Sequence, residues 1–288
     1  MALWGYLANF DDYKDSNMQF ISNIAVSIEL IHKATILIDD WIDGDIARHG
    51  EKAFHVEYDP YYTVILALHM VSDSMVRLKK FLPLDSNLPN NYSNIADIIA
   101  ETIYSMSKGA LEELRLNNNL YNLDQIKLIA KLETAEIIGN SMQLGFYAGS
   151  GTNLETSKLF KYIGDKFGYL FQAMNDLEVF TDTDSLIAYK GAINNDVSIS
   201  RKNLAVAILY NIAKKSDKDV IINSSHETIK NLITKYNILD FIVRETELFY
   251  SNITSEFSKI GLSKQWIADF IVFMDNMKKI AYSKLGLK

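Results

Sequence analysis

Three carboxylates stand at the end of one apolar run. In ELIHKATILIDDWIDGDIARHGEKAFH, from Glu29 to His55, Asp39, Asp40 and Asp43 precede Gly44. Residues four apart share a helix face, so Asp39 and Asp43 lie together with Asp40 beside them. Carboxylates at a helix C-terminus oppose the macrodipole unless a cation offsets them. Magnesium takes oxygen ligands, commonly one or two carboxylates with water and substrate phosphates, so this spacing suits a bridge from protein to a phosphorylated substrate. The plainer alternative is a solvated acidic helix end before a turn at Gly44, and the bare spacing does not choose between them. A second group, Asn175, Asp176, Glu178 and Asp182, lies in and just after FQAMNDLEVF at 171–180. An asparagine carbonyl can ligate magnesium, so these residues make either a weaker oxygen site or a structural acidic helix end. Glu29 and His32 form one carboxylate–histidine pair, but a di-iron bundle needs two, and His32 reads as a packing residue.

The elements that must position these groups are helices. Only three prolines occur, at 60, 83 and 89, and between them apolar residues recur at i, i+3, i+4 and i+7, the helical period. The pattern predicts helices over Asn17–Asp40, Pro60–Leu82, Asn94–Leu116, Leu123–Ala148 and Leu154–Phe180. Others follow near 201–214, 225–259 with a break around Leu239, and 264–284. Asp59 before Pro60, Asn122, Asn153 and Ser263 are the expected N-caps. Two polar stretches, 83–92 and 181–200, interrupt the pattern, and connections of the second length are commonly functional. No repeat or linker composition divides the chain, so residues 1–288 read as a single all-α domain.

Composition narrows the partners. The formal net charge of −7 over 288 residues makes nucleic acid an unfavourable partner. Cysteine is absent, which removes disulfides and thiolate chemistry and fits an intracellular protein. Neither a signal peptide nor a membrane span is expected, and a cytoplasmic location follows as the expectation.

The Glu29–His55 string resembles the first aspartate-rich motif of the trans-isoprenyl diphosphate synthases, the polyprenyl synthetase family. There an apolar helix ends in DDxxD and a basic, glycine-containing loop follows. Asp39, Asp40 and Asp43 take the three acidic positions and Arg48 the first arginine, while His49 stands where a second arginine is usual. FQAMNDLEVF and the Lys190–Lys202 stretch, which contains Asp196, resemble the second motif region and its flap. The departures are specific. The second motif has Asn175 and Val179 where acids are usual, and Glu133-Thr134 replaces a Lys-Thr pair. Gly109-Ala110 replaces Gly-Gln, and the family's Gly-Gly-Lys-Arg segment would lie just before MALWGYLANF, where this sequence begins. Lys131 and Arg201 remain as further phosphate candidates. The site for a homoallylic acceptor diphosphate therefore looks depleted, and the ionising half looks kept.

The resemblance implies a class I terpenoid synthase bundle around a deep central cavity. It implies magnesium, three ions once diphosphate is bound, held by Asp39, Asp43, Asn175 and Asp176, with Asp40 and Arg48 in the catalytic group. Arg48, Lys190 and Lys202 would neutralise an allylic prenyl diphosphate, with Phe171 and Gln172 also at the substrate. Ala34 and Thr35, one turn before Asp39, are small where bulky residues would close the cavity floor, so a C15 or C20 substrate is expected. A homodimer is implied. The pattern is similar both to ComQ-type prenyltransferases of peptide pheromones and to the terpene synthases related to isoprenyl diphosphate synthases. Prenyl transfer to an acceptor is the expectation, with cyclisation, or a non-catalytic regulatory subunit of a heteromeric synthase, as alternatives.

Overall fold

The long helices start where short polar side chains satisfy their first backbone N–H groups. In the computed structural model, Asn122 accepts from the amides of Asp124 and Gln125, Asn153 from Thr156, Ser263 from Trp266, and Asp59 from Tyr61. The structure describes residues 1–15, 17–81, 91–116, 122–149, 151–181, 203–222, 226–258 and 260–287. The predicted Lys190, Lys202, Arg201, Asp182 and Asp196 lie outside the described residues, as does most of each polar stretch.

The helices are α1 (Ala2–Leu7), α2 (Met18–Asp43), α3 (Phe54–Glu57), α4 (Pro60–Phe81), α5 (Asn91–Leu114), α6 (Leu123–Ala130), α7 (Glu136–Ala148) and α8 (Leu154–Thr181). They continue as α9 (Leu204–Ile212), α10 (Lys215–Ile222), α11 (His226–Lys235), α12 (Ile238–Ser258) and α13 (Lys264–Lys284). A π-helical turn, Lys131–Ala135, interrupts the predicted 123–148 helix between α6 and α7. The predicted break near Leu239 falls at Tyr236-Asn237 instead, because Asn237 takes a left-handed conformation (φ 51°) that asparagine tolerates. The sequence pattern also missed α1, α10 and the small hairpin β1 (Ala47–Arg48) and β2 (Glu51–Lys52).

Two apolar clusters hold the bundle. One joins α8, α9, α11 and α12 around Leu177, Leu204, Leu209 and Ile229. The other joins α1, α2, α5, α7, α8 and α13 around Ile21, Ile31, Met142, Phe160 and Trp266. In the second, the indole of Trp266 stacks on Phe270 at 4.9 Å and donates to the Trp4 carbonyl at 2.8 Å, which ties the first helix to the last. Among the described residues α2 alone is long and apolar enough, by length and composition, to cross a membrane, which the sequence reading did not anticipate. Its Ile21, Ile24, Ile28 and Ile31 are buried in the second cluster.

The approach of α8 to the π turn matters most for the site. Gly168 lets the α8 backbone lie against Ala135 and the Thr134 carbonyl, where a Cβ would overlap the Ala135 Cα. Replacing Gly168 with alanine should therefore push the two segments apart. The expected loss is about 1–3 kcal/mol, the cost of overpacking a tight contact, and thermal unfolding of Gly168→Ala against the parent measures it.

Candidate functional site

The end of α2 is shaped by a left-handed turn. Gly44 has φ 70°, its N–H bonds to the Trp41 carbonyl at 3.2 Å, and the Asp45 N–H reaches the Asp40 carbonyl at 2.9 Å. The chain then folds into the β1–β2 hairpin, with Ala47 opposite Lys52 and Arg48 opposite Glu51. Its two-residue loop, His49 and Gly50, has φ 55° and 78°, the pair of positive values that a type I′ turn requires. His49, at the position of a second arginine in the resembling family, is thus an exposed turn residue.

This turn and hairpin bring Arg48 back onto the helix it has just left. Its Nε donates to Asp40 Oδ1 at 2.7 Å and to Oδ2 at 2.9 Å, and Nη2 donates to Oδ1 as well. The Asp40 side chain is 4% exposed and that of Arg48 24%. The three carboxylates of the first motif are therefore not equivalent. Asp40 is buried and neutralised by Arg48, whereas Asp39 and Asp43 are half-buried one turn apart. One turn deeper, Ala34 is buried, and the half-buried Thr35 donates its hydroxyl to the His32 carbonyl at 2.8 Å.

On α8 the second motif is bound into protein contacts. Asp176 Oδ1 accepts from Gln172 Nε2 at 2.8 Å, Oδ2 accepts from the backbone N–H of Leu204 at 2.5 Å, and its carbonyl accepts from Asn203 Nδ2 at 2.9 Å. Gln172 Oε1 accepts from the Thr134 hydroxyl at 2.8 Å. Glu178 pairs with Lys284 at 3.0 Å. Asn175, beside Asp176, is half-buried. Tyr169, two turns before Asp176, has its hydroxyl pushed up to about 12 by burial, with the Glu245 and Asp176 carboxylates adding to the shift. It stays protonated at neutral pH.

The π turn packs against α5. Gly109 of α5 faces Glu133, where a Cβ would overlap the Glu133 Cγ. Lys131 lies 3.4 Å from Glu136, which also pairs with Lys161 at 2.5 Å. Burial raises the carboxyl of Asp165 above the usual range although Lys161 sits against it. Phe171 turns to another face of α8. It stacks on Phe167 with centroids 6.2 Å apart and lines a shallow cleft with Leu170, Met174, Tyr250 and Met277.

Among the described residues, no three aspartate, glutamate or histidine side chains converge as a ready-made metal cage. Two carboxylates at one helix end fit magnesium nevertheless, because that ion commonly completes its octahedron with water and phosphate oxygens. Asp39 and Asp43 would supply this donor set, and the buried Asp40–Arg48 pair lies at the same helix end.

The polyprenyl synthetase family model matches residues 5–239. The heptaprenyl diphosphate synthase component 2 of Bacillus subtilis is 24% identical over 257 residues, covering 88% of this chain and 69% of that one. The geranylgeranyl diphosphate synthase of Sulfolobus acidocaldarius is 22% identical over 268 residues, covering 85% and 78%. Among solved structures, the geranylgeranyl pyrophosphate synthetase of Pyrococcus horikoshii superposes with a TM-score of 0.78 at 17% identity, over 96% of this chain and 84% of that one. The geranylgeranyl pyrophosphate synthase of Corynebacterium glutamicum, complexed with isoprenyl diphosphate and magnesium, gives 0.77 at 15% identity, over 100% and 85%. The structural likeness establishes an all-α isoprenyl diphosphate synthase fold.

The Asp40–Arg48 pair generates a stability prediction. Arg48→Met strands a buried carboxylate, and because Arg48 is partly exposed the lower end of the usual range applies, about 3 kcal/mol. Asp40→Asn with Arg48→Met removes both charges and should recover part of that loss. Urea unfolding of the two single variants and the double variant reads the coupling.

Proposed function

The chain belongs to the polyprenyl synthetase family, whose members are prenyltransferases, and on that premise we propose that it ionises an allylic prenyl diphosphate and transfers the prenyl group to an acceptor. The observation that carries this reading is the sorting of the first motif: Asp40 is closed off by Arg48, and the flanking Asp39 and Asp43 stand one turn apart at the same helix end. Asp39 and Asp43 hold magnesium, with the Asn175 carbonyl as the opposing donor. When bound, the metal supplies positive charge that stabilises the diphosphate leaving group as the carbon–oxygen bond breaks. Arg48 holds Asp40 and the helix end in place and adds positive charge near the leaving group. Lys190 and Lys202, outside the described residues, are proposed as further phosphate contacts. Ala34 and Thr35 are small side chains one turn before Asp39, and on this reading their size favours C15 or C20 over C10 substrates.

Glu133 carries the acceptor side of the proposal. A carboxylate at this position disfavours a second diphosphate, so isopentenyl diphosphate is a poor acceptor. A second reading, in which this chain works as one component of a two-subunit synthase, draws on the relative named as component 2 and on Glu133. Pairing of two copies of this chain is supported by α4, where Tyr61, Ile65 and Leu68 stand 84%, 64% and 62% exposed along one stripe. Apolar rows of this kind commonly meet a partner surface.

Incubation with magnesium and C10, C15 or C20 allylic diphosphate, with and without isopentenyl diphosphate, tests the reading. Released diphosphate with a C15 or C20 preference supports it, hydrocarbon or alcohol products would favour cyclisation, and no turnover by the pure chain would favour a subunit. Asp39→Asn and Asp43→Asn should each lower diphosphate release by at least about a hundredfold, the scale of losing a main electrostatic stabiliser. Near-normal release in both would reduce the motif to a helix end. Leu68→Asp should shift the chain from dimer to monomer in light scattering, and an unchanged mass would remove α4 from the interface.

A further inference from the structure

The first turn of α9 has no access to water. Leu204, Ala205, Val206 and Ala207 are all 0% exposed. Backbone N–H groups at a helix start have no intrahelical acceptor, and in a dry environment each one left unmade is costly. Asn203 meets one of them, its Oδ1 accepting from Val206 at 2.9 Å. Leu204 is met by Asp176 Oδ2 at 2.5 Å, across 28 residues of sequence. Drawing that carboxylate away would leave the Leu204 N–H buried without this acceptor.

The other oxygen of Asp176 sets a second direction. An ionised carboxylate only accepts, so Gln172 must present Nε2 to it, and Gln172 Oε1 is thereby turned to Thr134, whose hydroxyl must donate. One carboxylate thus orders a chain that runs from the π turn through α8 to the start of α9. We propose that Asp176 is a positioning residue, which caps α9 and orients the Gln172 amide, and that the ligating atom on this side of the site is the Asn175 carbonyl. The proposal rests on the metal-dependent reading of the preceding subsection, and it accounts for the acid that remains in a motif that has lost two. Asparagine at 175 keeps an oxygen donor, whereas the carboxylate at 176 faces two N–H donors.

Three readouts on Asp176→Ala and Asp176→Asn test it: manganese binding with inorganic pyrophosphate by electron paramagnetic resonance, amide exchange at Leu204–Val206, and kcat. In Asp176→Ala, exchange at Leu204 should quicken about tenfold, as expected for a lost cap. Manganese affinity should stay within about twofold, and kcat should fall about tenfold or more because the site is misaligned. Asp176→Asn restores exchange protection and kcat, since its Oδ1 accepts from Leu204 and its Nδ2 donates to a flipped Gln172, with Thr134 then accepting. A tenfold loss of manganese affinity in Asp176→Asn would make Asp176 a ligand and overturn the proposal. Unchanged exchange in Asp176→Ala would remove the cap, and quickened exchange with normal kcat would reduce the residue to a structural one. If the alanine variant fails to fold, the manganese measurement on Asp176→Asn decides. Asp39→Asn serves as the control: manganese retained there would defeat the metal reading itself, whatever the Asp176 variants do.

Discussion

The ion pair between Asp40 and Arg48 is the constraint on which the candidate site depends. A carboxylate buried at the C-terminal end of a 26-residue helix is unfavourable twice over, from loss of water and from the helix dipole. The guanidinium offsets both through parallel N–H bonds, and it arrives there only because Gly44 reverses the chain and the His49-Gly50 turn closes the hairpin. With the middle acid paired to Arg48, the proposed metal site falls to the half-buried Asp39 and Asp43 on either side of it. The burial and pairing of Asp40 are thus a consequence of backbone geometry that begins one residue after the motif's last aspartate.

On the other side, close helix packing plays the equivalent part. The absence of a side chain at Gly168 lets α8 lie against the π turn, so that Gln172, one turn later, meets Thr134. A π turn places an extra residue in the helix and re-aims the side chains around it, a feature often retained at functional sites despite its poorer hydrogen bonding. Here it carries Glu133 and Thr134, the first departing from and the second matching the Lys-Thr pair of the resembling family. Glu133 meets Gly109 and Thr134 meets Gln172, so the altered and the retained residue face different helices.

The parts of this arrangement that were legible in the sequence are the local ones. Asn122, Asn153, Ser263 and Asp59 cap helices through bonds two or three residues long, and the 3.6 period of the apolar residues needs no tertiary partner to be read. The acidic motifs were legible as residue types at a spacing. The contacts that bind Gln172 and Asp176 into the fold were not, because no local pattern encodes them: Thr134 to Gln172 spans 38 residues and Leu204 to Asp176 spans 28. The π turn was hidden because KLETA continues the helical period of its flanks. The hairpin had a signal, a glycine following a residue that tolerates positive φ, but strands of two residues carry no alternation to confirm it.

Anomalous diffraction from crystals grown with manganese and inorganic pyrophosphate is the most direct measurement of the central claim, that Asp39 and Asp43 hold the metal while Asp40 is held by Arg48. The account predicts anomalous peaks within coordination distance of the Asp39 and Asp43 carboxylates, with the Asp40–Arg48 pair intact beneath them. Manganese bound to Asp40 with Arg48 displaced, or no peak at this helix end while pyrophosphate is bound elsewhere, would contradict it.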